Sequence, residues 1–285
     1  MHDSAIDKMK AFVNEYLKDY FKEPLKILEI GSKVIYPQKS QKFLFENGKW
    51  KYIGLDIEPG ENVDIVPKGP FDWQEINNNT FDVIICSQVF EHIFPFWVTA
   101  FEMGRVLKEG GLICIIVPST GDEHRYPYDT FRYFPDGLSL LCDYIGFLEM
   151  EVYRQSGNLQ YEDGSDYNKD SCIIMKKPIF SEMERKNFIF RNKLHKMLLK
   201  GCSIENIKDI NIKENEVSDI KSCLYKEEPK NAFLNLEKER LSKISKFFVR
   251  KRIIKACIPI LINNIFGKKV AKIIFKIYPK MEYWS

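Results

Sequence analysis

The chain has no Cys-x-x-Cys pair and no cysteine–histidine spacing of the kind that holds zinc, although it carries seven cysteines, at 86, 114, 142, 172, 202, 223 and 257. Several lie inside apolar runs, where a free thiol behaves as a small hydrophobic side chain. A reducing compartment is expected, and a structural zinc is not. No apolar run approaches the roughly 20 residues that span a bilayer. The opening stretch "MHDSAIDKMKAF" holds acidic side chains and no apolar core, so it does not read as a signal peptide, and a cytoplasmic protein is expected. Glycine is scarce where nucleotide loops usually need it: "LKILEIGSKVIYP" (25–37) reads as a buried strand entering a loop whose one glycine, Gly31, is followed by Ser32, Lys33 and Val34. A dinucleotide loop needs later glycines so that backbone can approach a pyrophosphate and the helix can pack closely. A nicotinamide dinucleotide is therefore disfavoured.

What is present is an alternation of apolar runs and longer segments over the first two thirds of the chain. "KILEI" (26–30), "YIGLD" (52–56), "VDIV" (63–66), "DVIIC" (82–86) and "LICIIV" (112–117) read as buried strands, with a helix over 95–107 and a turn at "KEGG" (108–111). Near-continuous apolar strands alternating with helices indicate a parallel sheet covered on both faces. Residues 4–21 place apolar side chains at helical spacing, with Ser4 and Asp7 positioned like a capping box. "FPDGLSLLCDYIGF" reads as a helix; "LEMEVYRQ" and "CIIMKKP", joined by a polar loop, read as a closing hairpin. The expected fold is a Rossmann-like, doubly wound α/β domain: a mostly parallel, seven-stranded sheet with a terminal antiparallel hairpin. It spans 1–178, and 179–285 form a helical C-terminal region. Residues 238–280 hold 13 Lys and Arg against one acidic residue, Glu239, inside a chain whose net charge is only +3.

Four motifs follow one another in order: "LEIGS", "YIGLDIEPGENVDIV", "FDVIICSQVFEHI" and "RVLKEGGLICIIVPS". In this series the chain from about 25 to 150 resembles a class I SAM-dependent methyltransferase of the type 11 kind. The resemblance implies S-adenosylmethionine as cofactor and S-adenosylhomocysteine as product. It places Glu29, Gly31 and Ser32 at the methionine end and gives Asp56 both ribose hydroxyls. Ile57 would lie on the adenine face, Asp72 and Trp73 at the adenine edge, and Ser87 and Gln88 beneath the sulfonium. A strand-end carboxylate suits ribose because it offers two charged acceptor oxygens. Asp56 followed by "EPG" also reads as a turn former, and Trp73 as a core residue.

Transfer to a hydroxyl needs a proton acceptor, and histidine is the usual one near neutral pH. Of His2, His92, His124 and His195, two fall near the expected methyl group. His92 follows the fourth strand in "FEHI". His124 lies in "PSTGDEHRYPYDTFRYFPDG", which resembles the "HRYP-x-D-x-x-R" segment of methyltransferases from bacterial surface-glycan gene sets. His124 is expected as the base, oriented by Asp129, with His92 on the cofactor or substrate side. Arg125, Tyr126 and Arg132 are expected to face an anionic acceptor; alternatively Asp129 and Arg132 form an ion pair that braces the loop. With no Asn-Pro-Pro-Tyr and no Pro-Cys after the fourth strand, methylation of an amide or adenine nitrogen, or of a pyrimidine carbon, is disfavoured. With no compact carboxylate cluster, no metal is expected.

These readings converge on an O-methyltransferase acting on a sugar hydroxyl, or on a phosphate- or phosphoramidate-type substituent, in bacterial capsular or other surface polysaccharide synthesis. The alternatives are a non-catalytic SAM-fold scaffold that binds a partner, and an RNA methyltransferase. The basic segment 238–280 mixes cations with Ile, Phe and Val. It is read first as a packing appendage or protein-contact surface, second as a contact with the inner face of a membrane, and last as a nucleic-acid surface.

Overall fold

The computed structural model describes residues 2–35, 40–201, 207–208 and 210–243. Six strands form one sheet in the order β2-β1-β3-β4-β6-β5: β1 (Lys26–Ile30), β2 (Lys51–Leu55), β3 (Phe81–Ser87), β4 (Leu107–Val117), β5 (Leu148–Arg154) and β6 (Ser171–Lys176). The first four pair in parallel; β6 runs antiparallel to both β4 and β5. The hairpin is therefore as expected. The seventh strand is not present among the described residues: "VDIV" contributes a single bridge, Ile65 to Leu55. Asp64 spends its carboxylate on the Gly54 N–H, and Pro67 has no N–H with which to extend a ladder.

Side chains alternate across the pleat, so each face of the sheet acquires its own core. Ile27, Val83, Ile85, Cys114 and Ile174 pack with α1 (Asp3–Phe12), Tyr16, Phe45 and Phe233 on one face. Leu28, Ile84, Cys86, Ile115 and Ile173 pack on the other face with α2 (Phe96–Val106), α3 (Pro135–Ile145) and Phe188 of α4 (Glu182–Leu199). The chain divides into a compact unit through Leu236 and a second from Glu237 onward, so the boundary expected near 178 falls inside the first unit. Segments beyond 178 contribute directly to it: Leu224 and Phe233 are fully buried. Of the basic segment, only 238–243 belong to the described residues, where they are helical; the surface expected for the remainder lies outside them.

Two local expectations change. "KEGG" is not a terminating turn but the start of β4, and it forms a bulge: Phe81 pairs with Leu107 and Val83 with Leu112. Gly110 adopts φ +76°, and a Cβ there would lie 2.4 Å from the Tyr225 Cβ, so only glycine fits. Ser4 does not cap α1, whose N-cap is His2. It is buried, and its hydroxyl donates to Asp170 at 2.8 Å.

Asp170 also accepts from Lys8 at 3.0 Å, and both side chains are sealed from solvent. Gln155 takes a second hydrogen bond from the Lys8 ammonium at 2.6 Å. Removing one member of such a pair leaves an uncompensated buried charge. Lys8→Ala is expected to cost roughly 3–5 kcal/mol of unfolding free energy in chemical denaturation; a loss below about 1 kcal/mol would mean that the site rehydrates.

Candidate active site

The parallel strands end together, and the cleft opens at their carboxyl ends, where open α/β sheets bind ligands. A cavity of about 670 Å³ lies there, lined from β1 by Glu29 to Lys33, from β2 by Asp56 and Ile57, and from β3 by Ser87 to Val89. Gly31 turns the chain out of β1 at φ +72°, with its would-be Cβ 2.3 Å from Val89 Cγ2. One glycine suffices because the loop is fixed by other bonds. The N–H groups of Gly31 and Ser32 donate to the Leu55 carbonyl, and the Lys33 N–H donates to Asp56 Oδ2 at 2.9 Å. Asp56 thus rivets the loop while keeping acceptor capacity at the cavity wall.

Glu29 is almost fully buried beside this loop, and burial pushes its carboxyl up to about 8. It accepts from Gln41 Nε2 at 2.6 Å, from Asn62 Nδ2 at 3.0 Å and from the Tyr52 hydroxyl. Gln41 and Asn62 carry no sequence signal beyond being polar, and neither was anticipated. Ser32 Oγ and Gln41 Oε1 are buried without a hydrogen-bond partner among the described residues, and both residues face the cavity. Trp73 and Pro70 supply an apolar wall, with the more exposed Ile57 at the edge. Asp72 is elsewhere. It pairs with Lys196 at 2.9 Å and Lys200 at 3.4 Å and lines a different cavity, not the cleft where an adenine contact was expected of it.

The opposite wall is built by the segment between β4 and α3. Thr130 donates its N–H and its hydroxyl to the Glu91 carbonyl, at 2.7 and 2.8 Å, and the Tyr133 hydroxyl donates to the Phe90 carbonyl at 2.9 Å. These bonds bring His124 over His92, with ring centroids 5.0 Å apart and rings nearly perpendicular. His92 Nδ1 lies 2.6 Å from the Tyr128 carbonyl and His124 Nδ1 lies 3.1 Å from the Asp122 carbonyl. A carbonyl can only accept, so each ring carries a proton on Nδ1, and its neutral form presents Nε2 as an acceptor. Burial lowers the His92 pKa.

Asp129 lies 3.7 Å from His124 Nδ1, beyond hydrogen-bond reach, and its closer bonds go elsewhere. It accepts the His124 backbone N–H at 2.8 Å and a two-pronged ion pair from Arg132 at 2.5 and 2.8 Å. The Arg132 guanidinium holds its carboxyl down to about 2. The bracing alternative describes this pair, and it leaves Arg132 committed to the loop. Arg125 differs: it is exposed, pairs among the described residues with exposed Glu123, and lines the cavity with Tyr126. Sequence reading passed over Glu91, which is fully buried at the cavity wall. Neither of its oxygens has a partner among the described residues beyond its own backbone N–H.

A family model described as a methyltransferase domain matches residues 39–115, so this part of the chain is similar to that family. No curated protein matches the chain. Among solved structures, a SAM-dependent methyltransferase from Archaeoglobus fulgidus is 19% identical over 60% of this chain and 94% of its own, with a TM-score of 0.40. The 1,6-didemethyltoxoflavin-N1-methyltransferase of Burkholderia thailandensis is 12% identical over 62% and 80%, with a TM-score of 0.46. The [4+2]-cyclase SpnF is 13% identical over 61% and 82%, also at 0.46.

Gly31→Ala is expected to destabilise the protein by at least roughly 1–2 kcal/mol, the cost of a side chain in left-handed backbone, as read by thermal denaturation. Adding Val89→Ala should recover only the part that comes from the collision. Full recovery in the double variant would show that the backbone is not strained.

Proposed function

We propose that this chain is a SAM-dependent O-methyltransferase acting on a sugar hydroxyl, or on a phosphate- or phosphoramidate-type substituent, in bacterial surface polysaccharide synthesis. The observation that carries the reading is the pair of facing imidazoles at one end of a cleft whose other end holds a strand-end carboxylate and a glycine turn.

The cleft fits the sulfonium nucleoside. Asp56 has acceptor capacity for ribose hydroxyls, Ile57 provides apolar surface for the base with the buried Trp73 behind the wall, and Ser87 and Gln88 lie at the end of β3 between the two walls. The orphaned Ser32 hydroxyl and Gln41 carbonyl oxygen can satisfy the carboxylate and ammonium of an amino-acid tail. Glu29, already accepting from three donors, shapes that end and holds Gln41 in place. When bound, S-adenosylmethionine supplies a methyl carbon activated by the sulfonium: the O–C bond forms as the S–C bond breaks, and sulfur keeps the electron pair. The protein's share is alignment, exclusion of water and removal of the acceptor's proton.

His124, half-exposed at the rim, is assigned as the proton acceptor through Nε2, with its Nδ1–H anchored on Asp122. His92 lies deeper, towards the methyl position. Arg125 and Tyr126, exposed at the mouth, suit an anionic acceptor; Arg132 serves the loop instead. With sheet, cleft and imidazole pair all in place, catalysis is favoured over a purely scaffolding role.

Asp56→Ala should weaken S-adenosylmethionine binding by at least about tenfold in calorimetry, the scale of one or two hydrogen bonds to a charged acceptor; unchanged affinity would remove the ribose assignment. His124→Ala should retain cofactor affinity while turnover falls by roughly 10²–10⁴, measured with labelled S-adenosylmethionine against a panel of sugar nucleotides and glycan intermediates. Full turnover in that variant would shift the proton to His92.

A further inference from the structure

Glu91, His92 and His124 offer one carboxylate oxygen and two imidazole nitrogens that all lie within 4.8 Å of one another. Their sequence positions give little hint of this, because the long segment after β4 must fold back to bring His124 into place. Three independent features of the group point to a ligand from outside the protein. The Glu91 carboxyl is fully buried, faces the cleft, and has neither oxygen satisfied by another described residue; a buried acceptor left without partners costs free energy unless something fills the need. Both imidazoles donate Nδ1–H to a backbone carbonyl, the arrangement by which metal-binding histidines are fixed in the tautomer that presents Nε2. Glu91 Oε1 and His92 Nε2 are 3.8 Å apart, and ligands on adjacent positions of a cation with bonds of about 2.1 Å sit about 3–3.5 Å apart. A shift of a few tenths of an ångström brings this pair to that spacing, and His124, within 4.8 Å of both, has further to move.

We propose that Glu91, His92 and His124 bind a divalent transition-metal cation at the acceptor end of the cleft. Two nitrogens and one carboxylate select the zinc, cobalt and manganese class over magnesium, which prefers an all-oxygen shell. Three protein ligands leave at least one position open to the cleft, where an acceptor hydroxyl can bind. The positive charge there lowers the pKa of that hydroxyl, so its proton passes to solvent and its oxygen lone pair becomes available to form the O–C bond. In this form His124 serves as a ligand and the cation assumes the task given above to a free imidazole. The catalytic part of the proposal rests on the hydroxyl-methylation reading; the binding part does not.

The test uses the full chain, freed of metal with a chelator and dialysed, without cofactor or acceptor. Co²⁺ and Zn²⁺ are titrated in by calorimetry, and Co²⁺ also by visible absorption. The expected result is one saturating equivalent of each, with Mg²⁺ far weaker. Glu91→Gln, which keeps the shape of the side chain, should weaken Co²⁺ by roughly 100-fold or more, and His124→Ala, at an exposed position that cannot threaten folding, should change the Co²⁺ spectrum. Absence of saturable binding to the unmutated chain would overturn the site, as would identical Co²⁺ affinity in Glu91→Gln. Binding with no acceptor methylated would leave the site standing and remove the O-methylation reading. Turnover lost in His124→Ala, with no cation bound by the unmutated chain, would keep that reading and remove the site.

Discussion

Two hydrogen bonds from Thr130 to the Glu91 carbonyl hold the acceptor end of the cleft together. They fasten the segment between β4 and α3 to the turn that follows β3, so the two histidines meet although they lie far apart in the chain. The Arg132–Asp129 pair then stiffens the segment from within, and Asp129 fixes the His124 backbone. Without that fastening, His124 is a surface residue. With it, one nitrogen from each ring and a Glu91 carboxylate oxygen lie within 4.8 Å of one another.

The cofactor end reaches a comparable rigidity by other means. One glycine is enough because the loop donates two N–H groups to the end of β2 and a third to Asp56. Nucleotide loops with several glycines obtain close approach from conformational freedom; here the backbone is instead tied down in one shape. A ligand without a pyrophosphate makes fewer demands on such a loop, and the shortage of glycine becomes a statement about ligand class.

The sheet, the hairpin and the cleft's position at the strand ends were legible, because apolar periodicity and strand-end residues such as Gly31 and Asp56 are local properties. What was not legible depends on long-range contacts. "VDIV" has the composition of a strand, yet Pro67 and the Asp64 side chain limit it to one bridge. "KEGG" has the composition of a turn, yet Tyr225 packs over Gly110 and the strand continues through a bulge. Asp72 sits one residue from cavity-lining Trp73, but Lys196 of α4 and Lys200 just beyond it pair with its carboxylate, and nothing in the local sequence announces a partner more than a hundred positions downstream. Gln41, Asn62 and Glu91 were missed for the same reason: their polar types are common, and only their burial makes them informative.

Burial alone does not distinguish the two glutamates of the cleft; their partners do. Glu29 receives hydrogen bonds from Gln41, Asn62 and Tyr52, so the free-energy cost of enclosing it is met within the protein, and its task is to hold neighbours in place. Glu91 is at least as enclosed and receives nothing from any other described side chain. The fold therefore completes one end of the cleft and leaves the other unfinished. An unfinished end that also holds two imidazoles anchored through Nδ1 calls for a group that meets the carboxyl and both rings. A proton would satisfy one Glu91 oxygen and leave both Nε2 atoms bare, whereas a cation would engage all three groups at once.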